Sequence, residues 1–254
     1  MGKLVDLEQY TTLPRPNVDW IITDLIPRPS IIMLFGEPKV GKSWLALQIA
    51  LAVAQGHDNL MGHTIKPTTV LYLQFDTSEF VWRYRLRGLV KDGVSLAGPV
   101  YMLHPEDQPT RVNILNEQHF NLFRAMIATC DPGLVVIDVL REIHNSDEQD
   151  STQMKWVGDA IAELCQGRAL LLLHHPRKPS TDPKAQFNTI TAARGSSYLA
   201  GKVDVLWLIH AGYLHIEGRL GASCRVKLKQ APTGLWTFPV VEYEMNRDQT
   251  PSST

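Results

Sequence analysis

Residues 31–43 read Ile31-Ile32-Met33-Leu34-Phe35-Gly36-Glu37-Pro38-Lys39-Val40-Gly41-Lys42-Ser43, and the apolar run from Trp44 to Ala54 follows. A short apolar strand pattern stops at Gly36. A long pattern with apolar residues on nearly every face starts at Ser43 and stops at Gly56, as a buried helix does. Between them lies GxxxxGK[ST], the Walker A phosphate loop. Each position has a chemical reason. Gly36 and Gly41 let the backbone turn tightly, so that successive N–H groups of Glu37, Lys39 and Val40 point inward as an anion nest, with Pro38 shaping the turn. Lys42 offers a point charge to the β- and γ-phosphates. The Ser43 hydroxyl suits Mg²⁺. The helix that starts here, with Trp44 beside the loop, turns its positive end to the phosphates. The pattern alone arises by chance; the strand before it and the helix after it decide the reading.

Such a loop needs an acid for its metal. Gly133-Leu134-Val135-Val136-Ile137-Asp138 is an apolar strand pattern with an aspartate at its C-terminal end. In a parallel sheet that end faces the crevice of the phosphate loop. Ser43 and Asp138 are therefore the expected metal residues, and ATP and Mg²⁺ the expected cofactors.

Further out, apolar runs alternate with helical patterns. Strands are expected at 69–75, 100–103, 134–140, 169–173 and 203–209, and helices at 79–90, 117–129 and 152–165. Strands apolar on both faces and separated by helices imply a parallel sheet covered on both sides. Near the end, 224–229 and 236–243 flank Pro232-Thr233-Gly234 and read as an antiparallel hairpin. The fold class is α/β, a mostly parallel sheet flanked by helices with a C-terminal antiparallel hairpin. The expected organisation is an arm over 1–30 that covers the core, one ATPase domain over 31–245, and a flexible tail over 246–254.

Composition narrows the class. The 254 residues contain 25 Lys plus Arg against 26 Asp plus Glu, so bulk positive charge does not coat nucleic acid and any contact needs a local basic patch. Cys130, Cys165 and Cys224 are odd in number and far apart, which argues against a disulfide scaffold or a cysteine zinc cluster and for buried thiols in a reducing compartment. No apolar run approaches the roughly 20 residues of a membrane span. The N-terminal residues lack the apolar core of a signal peptide. A cytoplasmic location without a membrane is expected.

Four segments together resemble the RecA-like ATPases, and within them the RepA-type hexameric replicative helicases of plasmids and related single-domain phage ATPases. They are 36–54; 70–76 with Arg85-Leu86-Arg87; 134–144; and Leu172-Leu173-His174-His175 followed by Ala193-Arg194-Gly195-Ser196-Ser197. The resemblance implies a RecA-like core and several roles. Asp76 stands where the family has a catalytic glutamate that polarises water; aspartate reaches about 1.5 Å less. Glu79 is the substitute, ranked below it. His174, of the His174–His175 pair, stands where polar residues sense the γ-phosphate; adjacent strand residues face opposite ways, so one of the two looks at the nucleotide. Arg194 resembles an arginine finger given in trans to a neighbouring subunit. Lys227 and Lys229 are similar to a trans-acting lysine pair at the nucleotide.

The segment 176–193 has no periodicity and exceeds the about 12–15 residues of ordinary loops. It carries Arg177, Lys178, Lys184 and Phe187. In the resemblance this is the place of a DNA loop, where cations meet phosphate and Phe187 stacks on a base of a single strand. The resemblance thus implies an ATP-dependent motor on single-stranded DNA, a homo-oligomer as hexameric ring or filament, and partners among replication or recombination proteins. A RepA-like helicase is the leading expectation. A RecA-like phage recombinase and a slowly hydrolysing, nucleotide-switched binding module are the alternatives.

Overall fold

The computed structural model describes residues 4–14, 17–57, 60–103, 112–148, 150–164, 166–175, 201–221 and 223–244. Its centre is a nine-stranded sheet. β3 (Ser30–Gly36), β4 (Val70–Gln74), β5 (Val100–Leu103), β6 (Leu134–Asp138), β7 (Ala169–His174) and β8 (Val205–His210) form the parallel part. β9 (Tyr213–Gly218), β10 (Ser223–Gln230) and β11 (Trp236–Glu244) extend it antiparallel from β8. The order across the sheet is β11-β10-β9-β8-β3-β7-β6-β4-β5.

The strands are apolar on both faces because both faces are covered. Along β7, Leu171 and Leu173 join the core under α2 (Lys42–Gln55) and α3 (Glu79–Lys91). Leu170 and Leu172 join the opposite core, under α4 (Glu117–Cys130) and α5 (Ser151–Leu164). α2 buries residues all round and ends at Gly56, whose φ of 65° is the left-handed cap that glycine adopts without strain. Asp150 caps α5, accepting from the N–H groups of Thr152 and Gln153 at 2.8 and 3.1 Å. That explains the acidic stretch before this helix.

The first thirty residues differ from a simple covering arm. α1 (Leu7–Thr12) is exposed throughout. β1 (Asp19–Ile22) and β2 (Ile26–Arg28), by contrast, form a hairpin whose Ile21, Ile22, Leu25 and Ile26 lie inside the α2-side core. The prolines hid it by interrupting any period. β9 was equally hidden. Ala211 (φ 47°) and Gly212 (φ 78°) make the two-residue turn ahead of it without the usual Asn-Gly signature. The expected hairpin is thus the outer part of an antiparallel extension. Cys224 is buried, but Cys130 is only half-buried at the end of α4, a correction to the expectation of buried thiols. Cys165 and residues 245–254 lie outside the described residues. No described helix is long and apolar enough to cross a membrane.

Candidate active site at the carboxyl edge of the sheet

β3 is buried along its whole length and delivers the chain to Gly36. A side chain at Gly36 would meet the Ile209 carbonyl oxygen at 2.9 Å, so neighbouring β8 demands glycine there. The loop then turns through positive φ at Lys39 (64°) and Gly41 (94°) before α2 begins at Lys42. Lys42 is 5% exposed. Its Nζ donates to the carbonyls of Gly36 at 2.8 Å and Glu37 at 2.9 Å, and lies 3.1 Å from His175 Nδ1. Burial lowers its pKa to about 8, with the charges of Asp138 and Asp76 pulling the other way.

Asp138 ends β6 with no exposure. Oδ2 accepts from the Tyr72 hydroxyl at 3.0 Å and from Gln74 Nε2 at 3.4 Å. Oδ1 is buried with no hydrogen-bonding partner among the described residues. Burial raises the pKa of this carboxyl to about 6, against the Ser43 and Tyr72 hydroxyls, which favour its charged form; Asp76 raises it and Lys42 lowers it. A buried carboxylate beside the Ser43 hydroxyl in the first turn of α2, with one oxygen left over by the geometric hydrogen bonds of the described residues, fits a hard divalent cation. Sequence reading missed Tyr72 and Gln74. They alternate on β4 like ordinary strand residues, and only the parallel register, which sets Gln74 against Asp138, brings them to the site.

Asp76 follows β4 and is exposed, its N–H tied to Gln74 Oε1 at 3.0 Å. Its charge reaches Lys42, Asp138 and His175. Glu79 is engaged elsewhere, 2.9 Å from Arg83 on α3. The two histidines separate by strand alternation. His174 is buried, with its pKa lowered to about 4 by burial and then by the charges of His175 and Lys42. The residue that touches Lys42 is His175, whereas sequence reading singled out His174.

The antiparallel extension returns to this loop. Trp236 donates from Nε1 to the Gly41 carbonyl at 3.3 Å, and its backbone exchanges two hydrogen bonds with the Gln48 amide at 2.8 and 2.9 Å. Gly234 packs against Trp44, and the Arg85 guanidinium stands between Trp44 and Trp82 at 5.5 and 5.7 Å from the ring centres. Lys227 and Lys229 are exposed on β10, opposite the buried Val226 and Leu228. They do not join the cluster around Lys42. Arg194, Arg177, Lys178, Lys184 and Phe187 lie outside the described residues.

A family model described as an AAA domain matches residues 3–181. Among solved structures, the ATPase domain of another protein superposes with a TM-score of 0.59 at 12% identity, over 83% of this chain and 84% of that one. A DnaB-like replicative helicase, solved for its interactions with primase, gives 0.57 at 12% identity over 82% of this chain; the match spans 57% of the helicase. A KaiC-like protein from the hyperthermophilic archaeon Pyrococcus horikoshii gives 0.51 at 11% identity over 91% and 96%. The shared feature is the RecA-like P-loop ATPase fold.

Proposed function

The chain belongs to the AAA domain family, and on that premise we propose that it is an ATP- and Mg²⁺-dependent motor on single-stranded DNA, a RepA-like helicase working as a ring of identical subunits. The observation that carries this reading is the convergence of Lys42, Asp138, Asp76 and His175 at the carboxyl edge of the parallel strands. Lys42 binds and orients the terminal phosphates. Ser43 and Asp138 would hold Mg²⁺, which supplies a Lewis acid for the charge on the β- and γ-oxygens. Asp76 orients the attacking water and accepts its proton. His175, resting on Lys42, reports whether the lysine is engaged. Arg194 acts from the neighbouring subunit, and Lys227 and Lys229 face that subunit. Arg177, Lys178, Lys184 and Phe187 contact the strand.

A second reading draws on Asp76. A short, exposed carboxylate in the water-polarising position favours slow hydrolysis and a protein that switches with nucleotide rather than moves.

One experiment separates them. ATP hydrolysis is measured with and without single-stranded DNA for wild type, Lys42→Ala and Arg194→Ala, with molar mass from light scattering. DNA-stimulated turnover by an assembly of several subunits, lost in both variants, supports the motor. Flat turnover by a monomer that still binds ATP supports the switch and removes the trans-acting finger.

A further inference from the structure

Gly41, which caps α2, and Gln48 stand seven residues apart, close to two helical turns, so they lie on one face of the helix about 10 Å from each other. Trp236 bridges them. Its N–H donates to Gln48 Oε1 at 2.8 Å, and its carbonyl accepts from Gln48 Nε2 at 2.9 Å. One side-chain amide thus grips the Trp236 backbone as a neighbouring strand would. At the other end, indole Nε1 donates to the Gly41 carbonyl at 3.3 Å. Gln48 has no part in the phosphate chemistry, yet it holds the residue that holds the loop.

The Gly41 carbonyl is the first acceptor of α2. It receives the Leu45 N–H at 3.0 Å, and the indole is its second donor. A carbonyl oxygen has two lone pairs, so both are in use. The peptide joining Gly41 to Lys42 is planar and trans, and fixing its C=O also fixes the Lys42 N–H at the opposite side. That N–H belongs to the donors at a helix start that lack an intrahelical partner and serve an anion. Glycine at a φ of 94° is free to leave it at little cost, so the residue does not hold itself. The indole supplies the restraint.

The segment before Trp236 is braced. Gly234 N–H donates to the Ala231 carbonyl at 2.9 Å, Ala231 N–H to the Leu235 carbonyl at 2.8 Å, and Gln230 Nε2 to the Gly234 carbonyl at 2.8 Å. Gly234 rests on the Trp44 ring, which a side chain there would meet at 2.8 Å. Between Lys227 and Lys229 the β10–β11 register shifts, and a bulge of this kind bends a hairpin. Beyond it the strand start at Trp236 lies on α2.

We infer that Gln48 is a positioning residue for nucleotide binding: it holds Trp236 so that the indole fixes the Gly41 carbonyl and the Lys42 N–H is aimed at a phosphate. The inference rests on the ATPase reading. Gln48 touches no nucleotide and acts through Trp236.

Binding curves for a non-hydrolysable ATP analogue with magnesium, steady-state kcat and KM, and melting temperatures test this. Gln48→Met keeps the length of the side chain and loses both hydrogen bonds. Trp236→Phe keeps an aromatic ring and loses the indole donor. Each should weaken the analogue's Kd at least about fivefold, the worth of about one hydrogen bond, and move kcat at saturating ATP by less than about threefold. The double variant should bind within about twofold of the weaker single variant, because both changes break one connection. Gln55→Met is the control: Gln55, at the far end of α2, donates to the Ser95 carbonyl at 2.8 Å, and its loss should leave Kd unchanged. The inference is overturned if Gln48→Met and Trp236→Phe bind like wild type, if their effects multiply in the double variant, or if Gln55→Met weakens binding equally. If Gln48→Met does not fold, Gln48→Glu takes its place with the same expected weakening, since it keeps the acceptor for the Trp236 N–H and sets a carboxylate against the Trp236 carbonyl. A wild type that binds no analogue is seen in its own binding curve and removes the ATPase reading and this inference together.

Discussion

Tyr72 donates its hydroxyl to Asp138 Oδ2 at 3.0 Å, with both residues buried and on adjacent parallel strands. A phenol in that place satisfies one oxygen of the carboxylate and leaves the other, Oδ1, buried without a hydrogen bond among the described residues. The acid is thereby aimed while it remains costly to ionise.

The cost of Asp138 is readable as a pH dependence. Burial lifts its pKa from 3.8 to about 6. Below the unfolded value the group is protonated in both states and costs nothing. As pH rises through about 6 the folded chain must carry a buried charge, a penalty of about 3 kcal/mol for roughly two pK units. Without nucleotide or magnesium, Asp138→Asn should therefore unfold at higher denaturant than wild type above about pH 6. The gap should close by about pH 4. Urea unfolding across that range checks it; a variant less stable at neutral pH would contradict the prediction.

The proposed role of Asp76, orienting the attacking water, makes it the residue on which the hydrolytic rate should depend. Asp76→Asn should lower kcat by about 10²–10⁴-fold, the usual worth of a positioned general base, and leave ATP affinity within a fewfold. Asp76→Glu, with one more methylene, should equal or exceed wild type. Equal rates for the aspartate and the asparagine, in single-turnover measurements, would take Asp76 out of the chemistry.

Gly41 is pinned from two sides. Its φ is 94°, and a Cβ there would lie 2.5 Å from the Trp236 ring. Gly41→Ala should cost about 1–3 kcal/mol in stability for the backbone conformation alone. It should also abolish nucleotide binding, because the anion nest cannot form. Gly41→Ala combined with Trp236→Ala relieves the clash but not the φ, so it should recover stability only in part and binding not at all. Calorimetric titration with ATP and thermal melts of the single and double variants distinguish the two causes.

Much of this site is legible in the chain itself. The strand–loop–helix around Gly36 to Ala54 and the apolar strand ending at Asp138 follow from local patterns, because backbone geometry and burial on both faces write directly into composition. What escaped needed the third dimension. Tyr72 and Gln74 look like ordinary strand residues until the register puts β4 beside β6. Choosing between His174 and His175 required knowing which face of β7 looks toward α2. Trp236 could not be attached to Gly41 by any local signal. β1 and β2 were hidden by Pro27 and Pro29, and β9 by a turn without its usual residues.

The bond from Trp236 to Gly41 joins positions 195 residues apart, and that separation bears on how the protein comes into being. At about 5–20 residues per second of synthesis, the loop waits on the order of 10–40 s for its indole. Through that interval the nascent chain has the glycines, the lysine and the serine, but not the wall that seats them. The packing of the loop against Trp236 therefore arrives late, after all six parallel strands have been synthesised.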